Sequence, residues 1–275
     1  MTRNRMYLMT GISAGLFVFL TWAFADGLFN TNWWDSSVYT DSAIFTYAFI
    51  AVIVLMGVYQ AQRLPANGIE IDRGGVTDTE GQKEDPHFWR LILGNAYYSI
   101  LWVPLRFFVG RDWLAAGEHK LRSASWMDGG SALQGSWKGA VAIPETGSPR
   151  ITYGWYREFL NYMLNHEWYT WFAKVIAFGE TLVGIGLILG ALVGIAAFFG
   201  TFMNFNFMLA GSASSNPVLF GLAVFLVLGW KVAGYLGIDH VLLPALGAPW
   251  KAGELFGGEG IATHEPGGAR KPETA

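Results

Sequence analysis

The sequence predicts an all-α integral membrane protein with six transmembrane helices, in which a two-helix N-terminal extension precedes a four-helix bundle. The 275 residues are 52% hydrophobic and only 14% charged, whereas soluble domains carry about 25% charged residues. Mean hydropathy is +0.31, and several apolar stretches approach the length of about 20 residues that a helix needs to cross the hydrocarbon core. The 13 Trp and 11 Tyr residues suit the aromatic belts found at the two membrane surfaces.

Composition and motifs exclude several classes of function. A net charge of −3 gives no basic field for nucleic acid, and the lack of cysteine excludes iron–sulfur clusters and thiolate zinc sites. Nucleotide-binding loops, the HExxH motif and the serine nucleophile elbow are absent from the sequence. Four of the five histidines are candidate haem ligands, and the fifth, His264, lies near the C-terminus. The four show no paired arrangement typical of haem ligation, and no flavin motif is recognisable, so we expect no haem, flavin or metal. They are His87, His119, His166 and His240.

Residues 1–60 are predicted to form the N-terminal extension. Apolar stretches at 7–29 and 42–59 predict its two spans, joined by a short loop that has no Lys or Arg. The polar, glycine-containing residues 61–88 predict a solvent linker.

Residues 89–243 are predicted to form the four-helix bundle. Its first helix should begin near Leu91, kink at Pro104 and continue to Leu121, and residues 122–165 should form an ordered cap on the membrane face. The apolar stretch 168–210 must hold two spans with a turn near Gly190, because one helix of that length would reach about 65 Å. Pro217 predicts the start of a sixth span over 217–236, and 244–275 should be a disordered tail.

Six spans place both termini on one side of the cell membrane. The N-terminal Arg3 and Arg5 and the lack of basic residues in the first loop favour cytoplasmic termini by the positive-inside rule. Four basic residues in 122–165 weigh against this orientation. On the basis of the N-terminal arginines and the first loop, we nevertheless expect a multi-pass protein with both termini cytoplasmic.

One face of the helix that ends at Leu121 is the most informative pattern in the chain. Arg106, Gly110, Trp113, Gly117 and Lys120 fall within an arc of roughly 80° at helical periodicity. Two cations flanking two glycines are a candidate anion site, and the indole of Trp113 is a candidate apolar wall. The alternative is structural: Arg106 pairs with Glu180 inside the bundle and Lys120 extends to the membrane surface.

Glu180 lies within the predicted fourth span. An ionisable group at such a depth is costly, so it should have a partner or a role. The functional hypothesis is a proton acceptor, and the structural alternative is an interhelical salt bridge with Arg106 or Lys174.

Short motifs over about 89–243 resemble a known family. They comprise Arg106, Gly110, Trp113, Gly117 and Lys120; Gly179, Glu180, Gly184, Gly186, Leu189 and Gly190; Met203 and Asn204; and Asn216 and Pro217. This pattern resembles the DoxX/DoxD family of small four-helix membrane proteins. The inserted stretches 126–135 and 155–160 are closer to the DoxD branch, which gave its name to the large membrane subunit of thiosulfate:quinone oxidoreductase.

The resemblance implies that thiosulfate is oxidised to tetrathionate and that a quinone in the bilayer accepts the electrons. It implies Arg106, Lys120 and Arg122 as ligands of the thiosulfate dianion, Glu180 as the catalytic group that handles quinol protons, and Trp113 as the quinone wall. A second small membrane subunit or a larger redox complex is the implied partner. Two alternatives remain: a non-catalytic scaffold or assembly subunit of such a complex, and a transporter, which the lack of an inverted repeat disfavours.

Overall fold

A computed structural model describes residues 1–25, 29, 32–69 and 86–248. This part of the chain is helical, with no strand in it. Two 3₁₀ segments cover Tyr39–Asp41 and Ala96–Leu101. The α-helices are α1 (Arg3–Phe24), α2 (Ala43–Arg63), α3 (His87–Gly94), α4 (Val103–Leu121), α5 (Ala124–Met127), α6 (Ser131–Val141), α7 (Gly154–Asn165), α8 (Tyr169–Leu189), α9 (Val193–Leu209), α10 (Asn216–Leu228), α11 (Trp230–Ala233) and α12 (Asp239–Ala245).

Three helices of the described residues are long and apolar enough to cross a membrane: α1, α2 and α8, with 22, 21 and 21 residues. At 1.5 Å per residue each reaches about 30 Å, the thickness of the hydrocarbon core. Helices α9 and α10 are apolar but have only 17 and 13 residues. The membrane character of the chain is therefore supported, whereas six full-length spans are not confirmed.

The predicted third span is divided into separate helices because Asn95 and Pro104 both act as helix boundaries. Asn95 ends α3, and its side chain accepts a hydrogen bond from the main-chain nitrogen of Tyr97 at 2.9 Å. Pro104 lies in the first turn of α4, where the missing N–H would have no intrahelical partner. The proline therefore helps to begin a helix, and the predicted kink is wrong.

The last predicted span is also interrupted. Pro217 lies in the first turn of α10 as expected, but the helix ends at Leu228 and Gly229 precedes the short α11. A Cβ atom on Gly229 would lie 2.7 Å from the ring of Trp102. Glycine at this position thus lets the indole pack directly on the chain between α10 and α11.

The turn predicted near Gly190 is confirmed. Gly190 ends α8 in the left-handed conformation with φ of 68°, which glycine adopts without steric cost. Its main-chain nitrogen donates to the carbonyl of Gly186, and α9 begins three residues later. This turn makes α8 and α9 antiparallel neighbours.

The predicted cap region forms α5, α6 and α7. Its buried side chains make a second, smaller core that also includes the first half of α8. The main core lies among α1, α2, α4, α8, α9 and α10. The predicted tail, 244–275, begins too early, because Pro244 and Ala245 belong to α12. Residues 249–275 lie outside the described residues, so their predicted disorder stays a prediction.

Helices α1 and α2 pack on each other, on α4 and on the 3₁₀ segment before α4. Helices α1 and α2 cross where the side chain of Thr10 occupies the space beside Gly57. The hydroxyl of Ser13 donates to the carbonyl of Ile100 at 2.9 Å, which joins α1 to the segment just before α4.

Candidate functional site

The stripe predicted on α4 faces α8. A Cβ atom on Gly110 would lie 3.0 Å from the Cβ atom of Leu187, and one on Gly184 would lie 2.6 Å from the main-chain nitrogen of Leu114. The hydroxyl and main chain of Thr181 lie against Gly117. The glycines therefore bring two helix backbones into close contact, and α8 occupies the space in which an anion was predicted.

Arg106 lies at the N-terminal end of this stripe and is 0% exposed. Its guanidinium donates to the carbonyls of Leu187 at 2.9 Å and Ile188 at 3.2 Å, at the end of α8. It also donates to the carbonyls of Ala233 at 2.8 Å and Leu236 at 3.3 Å. A cation suits helix C-terminal carbonyls, which have no intrahelical partner and carry the negative end of the helix dipole.

Asp239 also stabilises the turn between α8 and α9. Its two carboxylate oxygens accept from the main-chain nitrogens of Leu192 at 2.6 Å and Val193 at 3.0 Å, at the start of α9. The main-chain nitrogen of Asp239 donates to the carbonyl of Gly190 at 2.8 Å. Burial raises the pKa of this carboxyl, and the two N–H donors and Arg106 oppose that shift. Arg106 and Asp239 together stabilise the turn between α8 and α9.

Lys120 and Glu180 form an ion pair at the other end of the stripe. The Nζ atom of Lys120 donates to Oε2 of Glu180 at 2.6 Å. The Glu180 side chain is 1% exposed and the Lys120 side chain 16% exposed. The ring of Trp126 in α5 lies 5.0 Å from Nζ. The carboxylate is therefore buried beside a cation that retains some access to solvent.

Arg122 points away from this pair. It lies over the ring of Tyr39 at 4.0 Å, donates to the carbonyl of Ser36 at 2.7 Å and forms an ion pair with Glu118 at 3.0 Å. The Glu118 carboxylate also accepts from the main-chain nitrogens of Tyr39 and Thr40. Arg122 and Glu118 thus bind the loop before α2 to the end of α4.

The predicted site residues are only partly brought together. Fourteen residues separate Arg106 from Lys120, which is about 21 Å along a helix, and Arg122 contacts a different segment of the chain. Glu180 pairs with Lys120, so the expected pairing with Arg106 or Lys174 is wrong. The three cations do not converge in this structure, and their role in binding substrate stays a prediction.

Trp113 lies between these two ends, in the core shared by α4, α8 and α9. Its side chain is 3% exposed, its ring centroid lies 6.3 Å from that of Phe207, and a Cβ atom on Gly200 would lie 3.0 Å from its Nε1 atom. The indole is thus packed inside the helical core, and its predicted role as the wall of an anion site stays a prediction. Its role at a quinone remains a prediction.

Two buried polar residues escaped the sequence analysis. Asp239 follows an apolar stretch and looks like the start of the tail. Arg111, which is 3% exposed, donates to the carbonyls of Thr40 at 2.6 Å and Ser42 at 3.2 Å and to the hydroxyl of Thr46. Their partners are main-chain atoms or lie far away in sequence, so no spacing pattern marks them.

Within 1–25, 29, 32–69 and 86–248, no three His, Asp or Glu side chains are grouped so that they could hold a metal ion. Comparison of the chain with family models, with curated proteins and with solved structures finds no match. The family resemblance described above therefore depends on the sequence motifs alone.

Proposed function

We propose that this chain is a membrane subunit of a quinone-linked oxidoreductase of the thiosulfate type. The observation that carries the proposal is the ion pair of Lys120 and Glu180, which lies in an apolar helical core at an end that solvent still reaches. Ionisable groups inside membrane-spanning segments are rare, pair with one another and mark substrate, ion or proton paths.

The chemistry assigns a proton-exchanging role to Glu180. A quinone that accepts two electrons also takes up two protons to become a quinol, and two thiosulfate dianions that form one tetrathionate release two electrons. A carboxylate beside a single lysine takes up a proton and passes it on when its ion pair opens. The Lys120 ammonium then compensates the charge left on Glu180.

Support for anion binding is concentrated at Lys120. Each of the three guanidinium nitrogens of Arg106 donates to a main-chain carbonyl, and Arg122 is engaged with Glu118 and the loop before α2. Within this proposal Lys120 is the first contact of the dianion, and Trp113 is the wall against which the quinone ring lies. The partners are the lipid bilayer, a quinone and a second membrane subunit of the same complex, in a cell membrane with both termini cytoplasmic.

Activity in proteoliposomes tests the proposal. Purified protein is reconstituted with a short-chain quinone, and thiosulfate-dependent quinone reduction is followed by absorbance. We expect E180Q to lose about 100-fold in rate, a typical contribution of general acid–base catalysis. E158Q, which changes an exposed carboxylate on α7, is the matched control and should keep the wild-type rate. No activity in the wild type, or equal rates in both variants, would contradict the proposal.

A non-catalytic scaffold of a larger redox complex is the second candidate function. The close contact of α4 with α8 at Gly110 and Gly184 favours it, as do the four hydrogen bonds from Arg106 to the main chain, because both features are typical of a packed structural core. A scaffold should be inactive alone and should purify in fixed stoichiometry with a redox-active subunit after gentle solubilisation. Quinone reduction by the isolated chain would exclude it.

A further inference from the structure

The core between α4, α8 and α9 contains three polar side-chain atoms that have no hydrogen-bond partner among the described residues. They are Nε1 of Trp113 and both amide atoms of Asn204. Asn204 is 0% exposed and Trp113 is 3% exposed. Buried polar groups in native proteins are almost always hydrogen-bonded to protein or to a ligand, so this cluster requires an explanation.

The packing of α8 against α9 places Asn204 near the level of Glu180. A Cβ atom on Gly179 would lie 3.5 Å from the Sδ atom of Met203, and one on Gly200 would lie 3.2 Å from Cγ1 of Val183. Because the two helices run antiparallel, these contacts set Asn204 within about 3 Å of Glu180 along the helix axes. Both side chains are buried, so both face the interior at one level.

Gly200 lies beside the indole nitrogen of Trp113. A Cβ atom at position 200 would lie 3.0 Å from Nε1, so glycine permits this close approach. Asn204 follows one helical turn later, so Gly200 and Asn204 lie on the same side of α9. Gly200 contacts both the indole nitrogen and Val183, and the Asn204 carboxamide lies one turn along the same side of α9, so we infer that the two polar groups border one site.

The chemistry of this cluster selects a neutral oxygen. The indole and the amide nitrogen are donors and the amide oxygen is an acceptor, which together match an oxygen that accepts and donates hydrogen bonds. We propose that Trp113 and Asn204 form a binding site for a neutral oxygen, supplied by a water molecule or by the head group of a quinone or quinol. The quinone source rests on the function proposed above, whereas the water source does not.

Nuclear magnetic resonance of the indole N–H in lipid nanodiscs tests the site. The protein is labelled with ¹⁵N-tryptophan, and W113F identifies the Trp113 resonance. A cross-peak between this N–H and water supports the site with water as the source. A shift of this resonance alone on addition of a short-chain quinone supports it with quinone as the source. Trp113 contact with neither water nor quinone would overturn the proposal.

Thermal unfolding of N204L is a second test of whether the Asn204 amide binds an oxygen. It remains available if W113F fails to accumulate. Leucine has a similar size and removes both amide atoms. An amide that truly has no partner carries a penalty, so its removal should raise the melting temperature. An amide that binds an oxygen should instead give a fall of about 3 °C or more. A rise in melting temperature would overturn the proposal.

The two proposals fail separately. A water contact at Trp113 in a protein that reduces no quinone keeps the oxygen site and removes the proposed function. A Trp113 N–H without any ligand contact in a protein that reduces quinone, with E180Q inactive, removes the oxygen site and keeps the function.

Discussion

The two ends of α4 carry the same kind of charge and are stabilised in different ways. Arg106 lies in the first turns of the helix, has no access to solvent and donates to four main-chain carbonyls. Lys120 lies in the last turn, keeps 16% of its side chain exposed and donates to one buried carboxylate. One cation therefore donates to the main chain at two helix ends, and the other balances a single buried carboxylate.

The difference follows from the two side chains. The guanidinium of arginine offers five N–H donors in a planar fork and stays charged, which suits several fixed acceptors. The ammonium of lysine is a flexible point charge, which suits a single acid partner that gains and loses a proton. The Arg106 end is thus expected to control stability and the Lys120 end to control chemistry.

Replacement of Arg106 should have the largest effect on stability. In R106L the carbonyls of Leu187, Ile188 and Ala233 lose their donors while they remain buried, which should cost about 3–5 kcal/mol. Thermal unfolding in detergent measures the loss. R106K should recover only part of it, since lysine cannot reach all four acceptors. Wild-type stability in R106L would show that the carbonyls find other donors.

The ion pair at the other end should respond unequally to loss of its two members. K120M leaves the carboxylate of Glu180 buried without a cation, which should cost about 2–4 kcal/mol. E180Q leaves a lysine that solvent reaches, so its cost should be about 1 kcal/mol. Unfolding of the two variants under one condition provides the comparison, and an equal loss in both would contradict the difference in burial.

The glycine contact between the two ends should be sensitive to a single methyl group. The Cβ atom of G184A would meet main-chain atoms of α4 at 2.6 Å and 2.8 Å, and the forced separation of the helices should cost about 1–3 kcal/mol. G221A in α10 is the matched control, because no atom lies within 4 Å of that position and alanine favours a helix. Equal stability of G184A and G221A would argue against the close packing of α4 on α8.

The smallest effect concerns pH and the carboxyl of Asp239. Burial raises the pKa of this group above its ordinary value of 3.8, so the folded protein binds the proton more tightly than the unfolded chain. The resulting stability is complete below pH 3.8 and is lost as the pH rises through the folded-state pKa. Stability of the wild type relative to D239N should therefore fall from acidic to neutral pH. A rise over that range would reverse the sign of the pKa shift.

Local sequence patterns predicted the features that depend on neighbouring residues. The turn at Gly190 follows from the length of the apolar stretch and from the conformational freedom of glycine, and the helix start at Pro217 follows from its missing N–H. The common face of the α4 stripe follows from helical periodicity. Pro104 was misjudged because the same residue kinks a helix in its interior and begins one in its first turn.

The partners of the charged residues needed the tertiary structure. Glu180 binds Lys120 because the antiparallel register of α4 and α8 sets these residues side by side, and sixty residues separate them in the chain. Arg106 binds carbonyls that every residue carries, so no side-chain pattern identifies them. The pairing of Asp239 with the start of α9 is likewise made to main-chain nitrogens.

A double-mutant cycle on Lys120 and Glu180 tests most directly whether the Lys120 end is a coupled acid–cation pair. Free energies of unfolding are measured for the wild type, K120M, E180Q and the double variant. The structure predicts a coupling free energy of about 1–3 kcal/mol, with the double variant more stable than the sum of the single losses. If the loss in the double variant equals the sum of the two single losses to within about 0.5 kcal/mol, the pairing of Lys120 with Glu180 is contradicted.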